Sequence, residues 1–583
     1  MNDDTTSPHG DALTPFDRKT FDSSGTISVI GSGAIGGKAQ GLAFVKDAVV
    51  PHVDAARFPN LGVNLPTLTI LTTTVFDEFM AENRLYELAM RDDIRDDQIT
   101  HAFVEASLPA RIVGDLRALA EKVHSPLAIR SSSLFEDALH EPFAGVYRTK
   151  MIPNNQDDPD YRFRALTEAI KYVFASTFFR DAKNYIKTTK QNPRNEKMAV
   201  IIQKVAGERR DERFYPVVSG VVRSYNFYRS GNAKPEDGIV SLALGLGKTV
   251  VDGGVCWTYS PAFPRANPPY KTIREMIQGT QTKFWAITLG KVPHDPLEET
   301  EYLVQCDIAE AEDHGTLAFV ASTYQADNDR IVTGLTGNGP RIVTFAPLLK
   351  VTDIPINDMI RYLLRLCEEA VGHEVEMEFA LTINHSDQAA KFWILQVRPM
   401  FVSHTRVDVE EAEMAAPEVI AASERVLGNG FVNTIRDVVF MHPKLFTDKE
   451  SYLIASELET INHRLALEGH PYLLVVFGRL GTTDPPAGIP VQWWQISDAK
   501  VIIETSLPEM HVEMSQGSHF FHNVISSQVG YFSVPHTAKY PINWEWLRAQ
   551  HTVIDSAFVR YVKLASPLRV KIDGRRGRGV ITI

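Results

Sequence analysis

At 583 residues, with 44% hydrophobic and 23% charged side chains, the chain has the composition of an ordinary soluble globular protein with room for about two to four domains. A net charge of −12 argues against a general nucleic-acid binder, though not against a nucleotide enzyme, whose basic pocket vanishes in a total. Three scattered cysteines without CxxC spacing suggest neither a disulfide scaffold nor a zinc site. With no signal-like N-terminus and no apolar run near the ~20 residues of a membrane span, a cytoplasmic protein is expected.

Residues 1–20 read as a disordered polar tail. A strand over 26–30 enters a glycine loop, Gly31, Gly33, Gly36 and Gly37, followed by Lys38 and a helix over 42–49. The Gly31-x-Gly33-x-x-Gly36 spacing fits a dinucleotide fingerprint, but no βαβ unit with an acid at the right distance follows. A Walker A loop fails as well: Ser32 stands where its first glycine should be, and Ala39 replaces the magnesium-holding hydroxyl residue. Such glycines still let backbone amides approach an anion, with Lys38 adding a point charge. A tight strand-to-helix turn with a surface lysine is the alternative.

The strand 127–130 ends in Arg130 and three serines, which fits a phosphate contact or a surface turn. A helix over 164–182 presents Leu166, Ile170, Val173 and Phe174 at core spacing. The β-branched strand 198–205 exits through Gln203, which could hydrogen-bond a nucleotide base. Another strand begins at Ser219, and the strand from Ile239 runs into a second glycine loop carrying Gly245, Gly247 and Lys248. A helix over 356–371 then delivers the chain into residues 374–400, two strands joined by a polar turn at 384–387.

In the first of these strands Val375, Met377, Phe379 and Leu381 alternate with Glu374, Glu376, Glu378 and Ala380. In the second, strict alternation puts Phe392, Ile394, Gln396 and Arg398 on one face. Stacked carboxylates repel, so nearby cations are expected; a metal on a polyphosphate would supply them, with Glu376 and Glu378 as oxygen ligands and Gln396 and Arg398 on the phosphate. Alternation alone equally describes a solvated strand face. After about residue 407 a polar hinge leads to a strand at 472–477, another at 501–504, the dense stretch 515–523, and a tail hairpin at 568–578.

Residues 25–403 resemble the nucleotide-binding region of the phosphoenolpyruvate synthase and pyruvate phosphate dikinase family. The carrying stretches are IGGKAQGLAF (35–44), LAIRSSSLFED (127–137), PFAGVYRT (142–149), MAVIIQKV (198–205), SGVV (219–222), LGLGKTVVDGG (244–254), EVEMEFA (374–380) and ILQVRPM (394–400). The resemblance implies an α+β, ATP-grasp-type fold of two lobes, 21–215 and 216–405, followed by a C-terminal α/β domain over 406–583. It implies that Lys38 and Arg130 bind ATP phosphates, that Glu376 and Glu378 hold Mg2+, and that Gln396 and Arg398 position the phosphoryl group. Three departures stand out: Lys248 replaces a glutamate common in the family, the phosphohistidine-bearing swivelling domain is not found, and the 180 or so remaining residues are too few for the pyruvate-binding barrel. The C-terminal part is similar to the second half of dikinase-like bacterial proteins through residues 478–493 and 515–523.

The expected function is therefore Mg-ATP-dependent phosphoryl transfer, which needs charge neutralisation and in-line placement more than covalent chemistry. His519, in a glycine- and hydroxyl-bearing stretch with His522 three residues on, is the acceptor candidate; an ordinary buried histidine is the alternative. A separate small molecule or protein could instead take the phosphoryl group. The rivals are an ATP sensor without transfer, which Lys248 favours, and a nicotinamide enzyme built on the first glycine loop. Neither nucleic acid nor membrane is expected as a partner, and a homodimer is allowed.

Overall fold

The computed structural model of the chain describes residues 13–21, 27–134, 136, 145–188, 193–227, 232–266, 272–351, 354–384, 389–400, 402, 405–444, 446–481, 488–510 and 519–583. Most of the expected turn at 384–387 and parts of 478–493 and 515–523 lie outside them. Mixed helices and sheets make an α+β protein.

The first sheet has six strands in the order Thr14–Pro15, Ile27–Ile30, Leu68–Leu71, Met198–Lys204, Leu127–Ser133 and Thr149–Ile152. Within the stretch read as a polar tail, Thr14–Pro15 pairs in parallel with Ser28 and Val29. The β-branched residues of Met198–Lys204 are buried because this strand is central, antiparallel to neighbours on both sides. Helix Pro159–Ser176 packs on the sheet, started by Asp158, whose side chain accepts from the Asp160 amide, and by a proline at the first turn. The single helix expected over 164–182 is in fact two: this one, and Arg180–Thr188. The turn between them buries Phe178 and Phe179, and Phe178 stacks on Phe76 with ring centroids 6.2 Å apart.

The second six-stranded sheet runs Trp257–Tyr259, Ile239–Ala243, Val218–Arg223, Val375–Ile383, Ala390–Pro399 and Leu61–Asn64. Leu61–Asn64, early in the chain, joins it in parallel at the edge of the acidic hairpin. Helix Ile356–Val371 buries Ile360, Leu363, Leu364 and Cys367 behind the sheet and stops at Gly372, whose φ of 77° is the left-handed conformation glycine adopts at a helix end. Strands Leu303–Asp307, Lys283–Thr288, Arg213–Tyr215 and Glu208–Arg210 form a smaller sheet. The loop after Lys283–Thr288 reaches the first sheet: Lys150 lies 2.9 Å from Glu301 and donates to the carbonyls of Asp295, Pro296 and Glu298.

The C-terminal part is built on a seven-stranded sheet. Its four adjacent parallel strands, Asp437–Met441, Tyr472–Phe477, Ala499–Thr505 and Gly530–Val534, are almost wholly apolar, as burial on both faces requires. Helix Asp448–Glu468, opened by the reciprocal Thr447–Glu450 cap, makes the first crossover. A four-stranded antiparallel sheet holds Arg569–Asp573 and Arg578–Thr582, the tail hairpin read from its Asp-Gly turn. This part packs on the first: Trp494 donates to Asp181 at 3.3 Å, and Arg180 lies 3.2 Å from Glu459.

Candidate functional site

Helix Gly37–Phe44 begins five residues before the expected start at Leu42, so Lys38 sits in its first turn, where amides have no intrahelical acceptor. The helix is wedged between the two large sheets. At Gly36 (φ 76°) a Cβ would fall 1.7 Å from the Ser132 carbonyl oxygen, and at Gly41 a Cβ would fall 2.7 Å from that of Val397. Only glycine permits both approaches. Ser132 Oγ fixes the junction, accepting from the Ala39 amide at 3.0 Å and donating to the Ile35 carbonyl at 2.8 Å. Lys38 Nζ lies 2.7 Å from Glu136 Oε1 and 3.2 Å from Ser131 Oγ. Buried Glu136 is itself held by the Ser131 hydroxyl and the Ser133 amide, each at 3.0 Å.

The acidic hairpin forms as expected but is not regular. Between Glu378 and Phe379 the register shifts: Glu376 faces Arg398 and Glu378 faces Gln396, whereas Phe379 faces Ile394 and Leu381 faces Phe392. Leu395 is the extra residue. Such a bulge reverses which face later side chains take. Gln396 and Arg398 therefore do not share a face with Phe392 and Ile394, as strict alternation predicts. They join the carboxylates, while Phe379 and Phe392 stack 4.7 Å apart on the apolar side. The carbonyl of Leu395, released from the ladder, accepts from Arg130 Nη1 at 3.0 Å.

Arg130 thereby crosses from the first sheet to the second. Its Nη2 donates to Gln396 Oε1 at 2.8 Å and Glu378 Oε2 at 3.2 Å, and its Nη1 reaches Gln203 Oε1 at 3.4 Å. Since Arg130 and Ser131 are consecutive strand residues, their side chains leave on opposite faces. Lys38, bound to Ser131, thus meets this strand from the other side, and these contacts of the two cations fall on different residues. Gln203 Nε2 is buried without a hydrogen-bond partner among the described residues, an orphan donor of the kind a base acceptor would satisfy.

Glu376 is the most enclosed group, only 2% exposed. Arg398 Nε donates to its Oε1 at 2.8 Å, with Arg398 Nη2 on the same oxygen; Arg223 Nε donates to its Oε2 at 2.5 Å. Arg223 was not singled out from the sequence, although like Arg130 it follows a short apolar run; the strand expected to end at Arg130 in fact continues to Ser133, whereas Arg223 does end its strand. Glu136 was seen only as part of a motif. Glu378, by contrast, is half-buried, and its Oε1 meets no donor among the described residues.

The second glycine loop leaves its strand at Ala243, whose row across the sheet is Ser219 and Ala380. That row is four residues, roughly 13 Å, along the strand from Glu376. Gly245 (φ 84°) is required because a Cβ would meet the Trp285 carbonyl at 2.6 Å, while at Gly247 a Cβ would make only an ordinary contact, with Ser219 Cβ at 3.7 Å. Lys248 lies 2.7 Å from Asp252 and 5.7 Å from the Trp285 ring centroid. No contact joins it to the acidic hairpin among the described residues. His519 opens helix His519–Ser526, but its side chain lies outside the described residues.

A helix start with a lysine, an interlobe arginine and a carboxylate-bearing hairpin meeting on one seam are the parts of a nucleotide clamp. Residues 32–418 match the family described as pyruvate phosphate dikinase, AMP/ATP-binding domain. The chain belongs to that family. The match runs from the first glycine loop through the acidic hairpin, so the whole seam lies inside a dikinase-type, ATP-grasp nucleotide-binding domain. A comparison with curated proteins finds no match to the chain. No helix among the described residues is long and apolar enough to cross a membrane.

Proposed function

We propose that the chain is a magnesium- and ATP-dependent phosphotransferase that binds ATP along the seam between its two large sheets. One observation carries the reading: Arg130 crosses the seam to Glu378, Gln396 and the bulged Leu395 carbonyl, beside the helix that presents Lys38. In this reading Lys38 and Arg130 bind phosphate oxygens, Gln203 offers its orphan Nε2 to the base, and Gly36, Gly37, Gly245, Gly247 and Lys248 line the nucleotide. Gln396 and Arg398 position the phosphoryl group.

The donor set fits a magnesium ion, though unequally. Glu378, with an oxygen left over, is the readier ligand, whereas Glu376 gives both oxygens to guanidinium groups. Binding a cation at Glu376 would free Arg398 for a phosphate, keeping the local charge balanced. The metal would supply charge neutralisation between phosphate oxygens. The protein's residues do the rest: they orient the phosphates and replace solvent by fixed donors. A cytoplasmic setting fits the three free thiols.

A sensor that closes on ATP without transfer is the second reading, favoured by Lys248 and by the closed Arg223–Glu376–Arg398 group. Incubating the purified chain with Mg-ATP and analysing the nucleotides separates the two. AMP or ADP in excess of a no-enzyme control supports transfer; bound but unchanged ATP supports the sensor. Label from ATP retained on the wild-type protein and lost in His519→Ala would assign the acceptor to that histidine.

A further inference from the structure

The acidic hairpin treats its two carboxylates differently, and the strand beside it sets the difference. Across the second sheet Arg223, Glu376 and Arg398 are direct neighbours on adjacent strands, with Ile239 beyond Arg223. Directly opposed residues share a face, so both guanidinium groups reach the carboxylate between them, one on each oxygen. Two residues along, about 7 Å away on the same face, the matching row is Val221, Glu378 and Gln396. Glu378 thus has a neutral side chain on either side, and its ion pair is with Arg130 from across the seam at 3.2 Å.

The two arginines on Glu376 are not equivalent. Arg398 lies on the strand that meets the Lys38 helix, where a Cβ at Gly41 would fall 2.7 Å from the Val397 carbonyl. Arg223 stands on the far side of Glu376 from that helix, on a strand held between Ile239–Ala243 and Val375–Ile383. Its backbone is pinned there: the Ser224 amide donates to the Val375 carbonyl at 3.0 Å, and the Ser224 hydroxyl accepts from the Val375 amide at 2.9 Å. Only 4% of the Arg223 side chain is exposed.

We propose that Arg223 is a positioning residue, the fixed counter-ion that keeps Glu376 paired when Arg398 turns from it to a phosphate oxygen. The proposal deepens the phosphotransferase reading and rests on its ATP site. A cation bound at Glu376 is one way to release Arg398; Arg223 makes that cation unnecessary and leaves the metal to Glu378. Breaking a buried ion pair is costly chiefly because it strands a charge. Here neither charge is stranded, because Glu376 retains one guanidinium and Arg398 exchanges one anion for another. Without the Arg223 charge, Arg398 would be held in place by the cost of baring the carboxylate.

The test measures Mg-ATP affinity by calorimetry, with circular dichroism as the check on folding. It compares wild type, Arg398→Met, Arg223→Met, Arg223→Lys and the double variant Arg223→Met/Glu376→Gln. Arg223→Met alters no group that meets phosphate, yet it should weaken ATP by about 10- to 150-fold, the same loss as Arg398→Met. Arg223→Lys should recover most of that loss. The double variant removes one positive and one negative charge together and leaves Arg398 with no carboxylate to hold it, so it should bind ATP within about threefold of wild type. Because it keeps the net charge of the group, it also decides the matter should Arg223→Met alone fail to fold. A purely structural Arg223 predicts the opposite order, with the double variant at least as impaired as the single one. Wild-type affinity in folded Arg223→Met, or no recovery in the folded double variant, would overturn the proposal. Wild type that binds no ATP would overturn the nucleotide reading itself, a distinct result.

Discussion

Glu376→Gln removes a charge and almost no volume, so its effect isolates the electrostatics of the hairpin. In the native protein two guanidinium groups converge on this carboxylate, Arg398 at 2.8 Å and Arg223 at 2.5 Å, and all three residues are at most 6% exposed. Each charge-assisted hydrogen bond contributes roughly 1.5–3 kcal/mol net. The two are not additive, and the larger effect is that two buried cations lose the carboxylate between them, a situation that costs about 3–5 kcal/mol. Arg398→Met should cost less, because Glu376 keeps Arg223. The assay is native-state amide exchange read by mass spectrometry over Val375–Ile383 and Ala390–Pro399, which reports local opening without requiring the whole chain to unfold in one step. At 1.4 kcal/mol per decade, Glu376→Gln should reduce protection of these strands by about 100- to 3000-fold. A change of less than about threefold would refute the reasoning, since it would mean that solvent already screens the site.

The two glycine loops make a paired prediction. Gly36→Ala, with a Cβ 1.7 Å from the Ser132 carbonyl, should displace the Lys38 helix and abolish ATP binding, whereas Gly247→Ala should leave the melting temperature within a few degrees; any lost ATP affinity there reports a ligand and not the fold. Lys248→Glu breaks one exposed i,i+4 pair with Asp252 and should change stability by under about 1 kcal/mol, measured by urea denaturation. Glu504 predicts a pH effect. Its folded-state carboxyl is raised by burial from 4.5 to about 7, so its stabilising contribution is complete below about 4.5 and is lost as pH rises through 7. At about 1.4 kcal/mol per unit this amounts to at most about 3.5 kcal/mol. Thermal melts from pH 5 to 8 should fall in wild type relative to Glu504→Gln, and parallel curves would contradict the assignment.

What could be read in advance was whatever depends on local period and residue type. The alternation of Val375, Met377, Phe379 and Leu381 places a strand with one acidic face, and the helix Ile356–Val371 has the bounds its pattern and its flanking Pro355 and Gly372 suggest. The bulge at Leu395 was invisible, because neither glycine nor proline marks it; it arises from fitting Arg398 and Gln396 against carboxylates while Phe392 and Ile394 stay in the core. Arg223 and Glu136 acquire meaning only through partners distant in sequence, Glu376 across 153 residues and Lys38 through the fold of the glycine loop. The edge strand Leu61–Asn64, with its short mixed sequence, has no local signal for joining the second sheet. Glu504 looks like one acid at the end of an apolar strand until the parallel order of the sheet places it beside Arg479.

The most direct measurement is calorimetric titration of Mg-ATP into wild type, Arg130→Met and Lys38→Met, each shown to be folded by circular dichroism. One ATP per chain should bind wild type, and loss of either cation should weaken it by about 10- to 150-fold, the worth of a charge-assisted contact to phosphate. Unchanged affinity in both variants would mean that the seam between the sheets is not where the nucleotide binds.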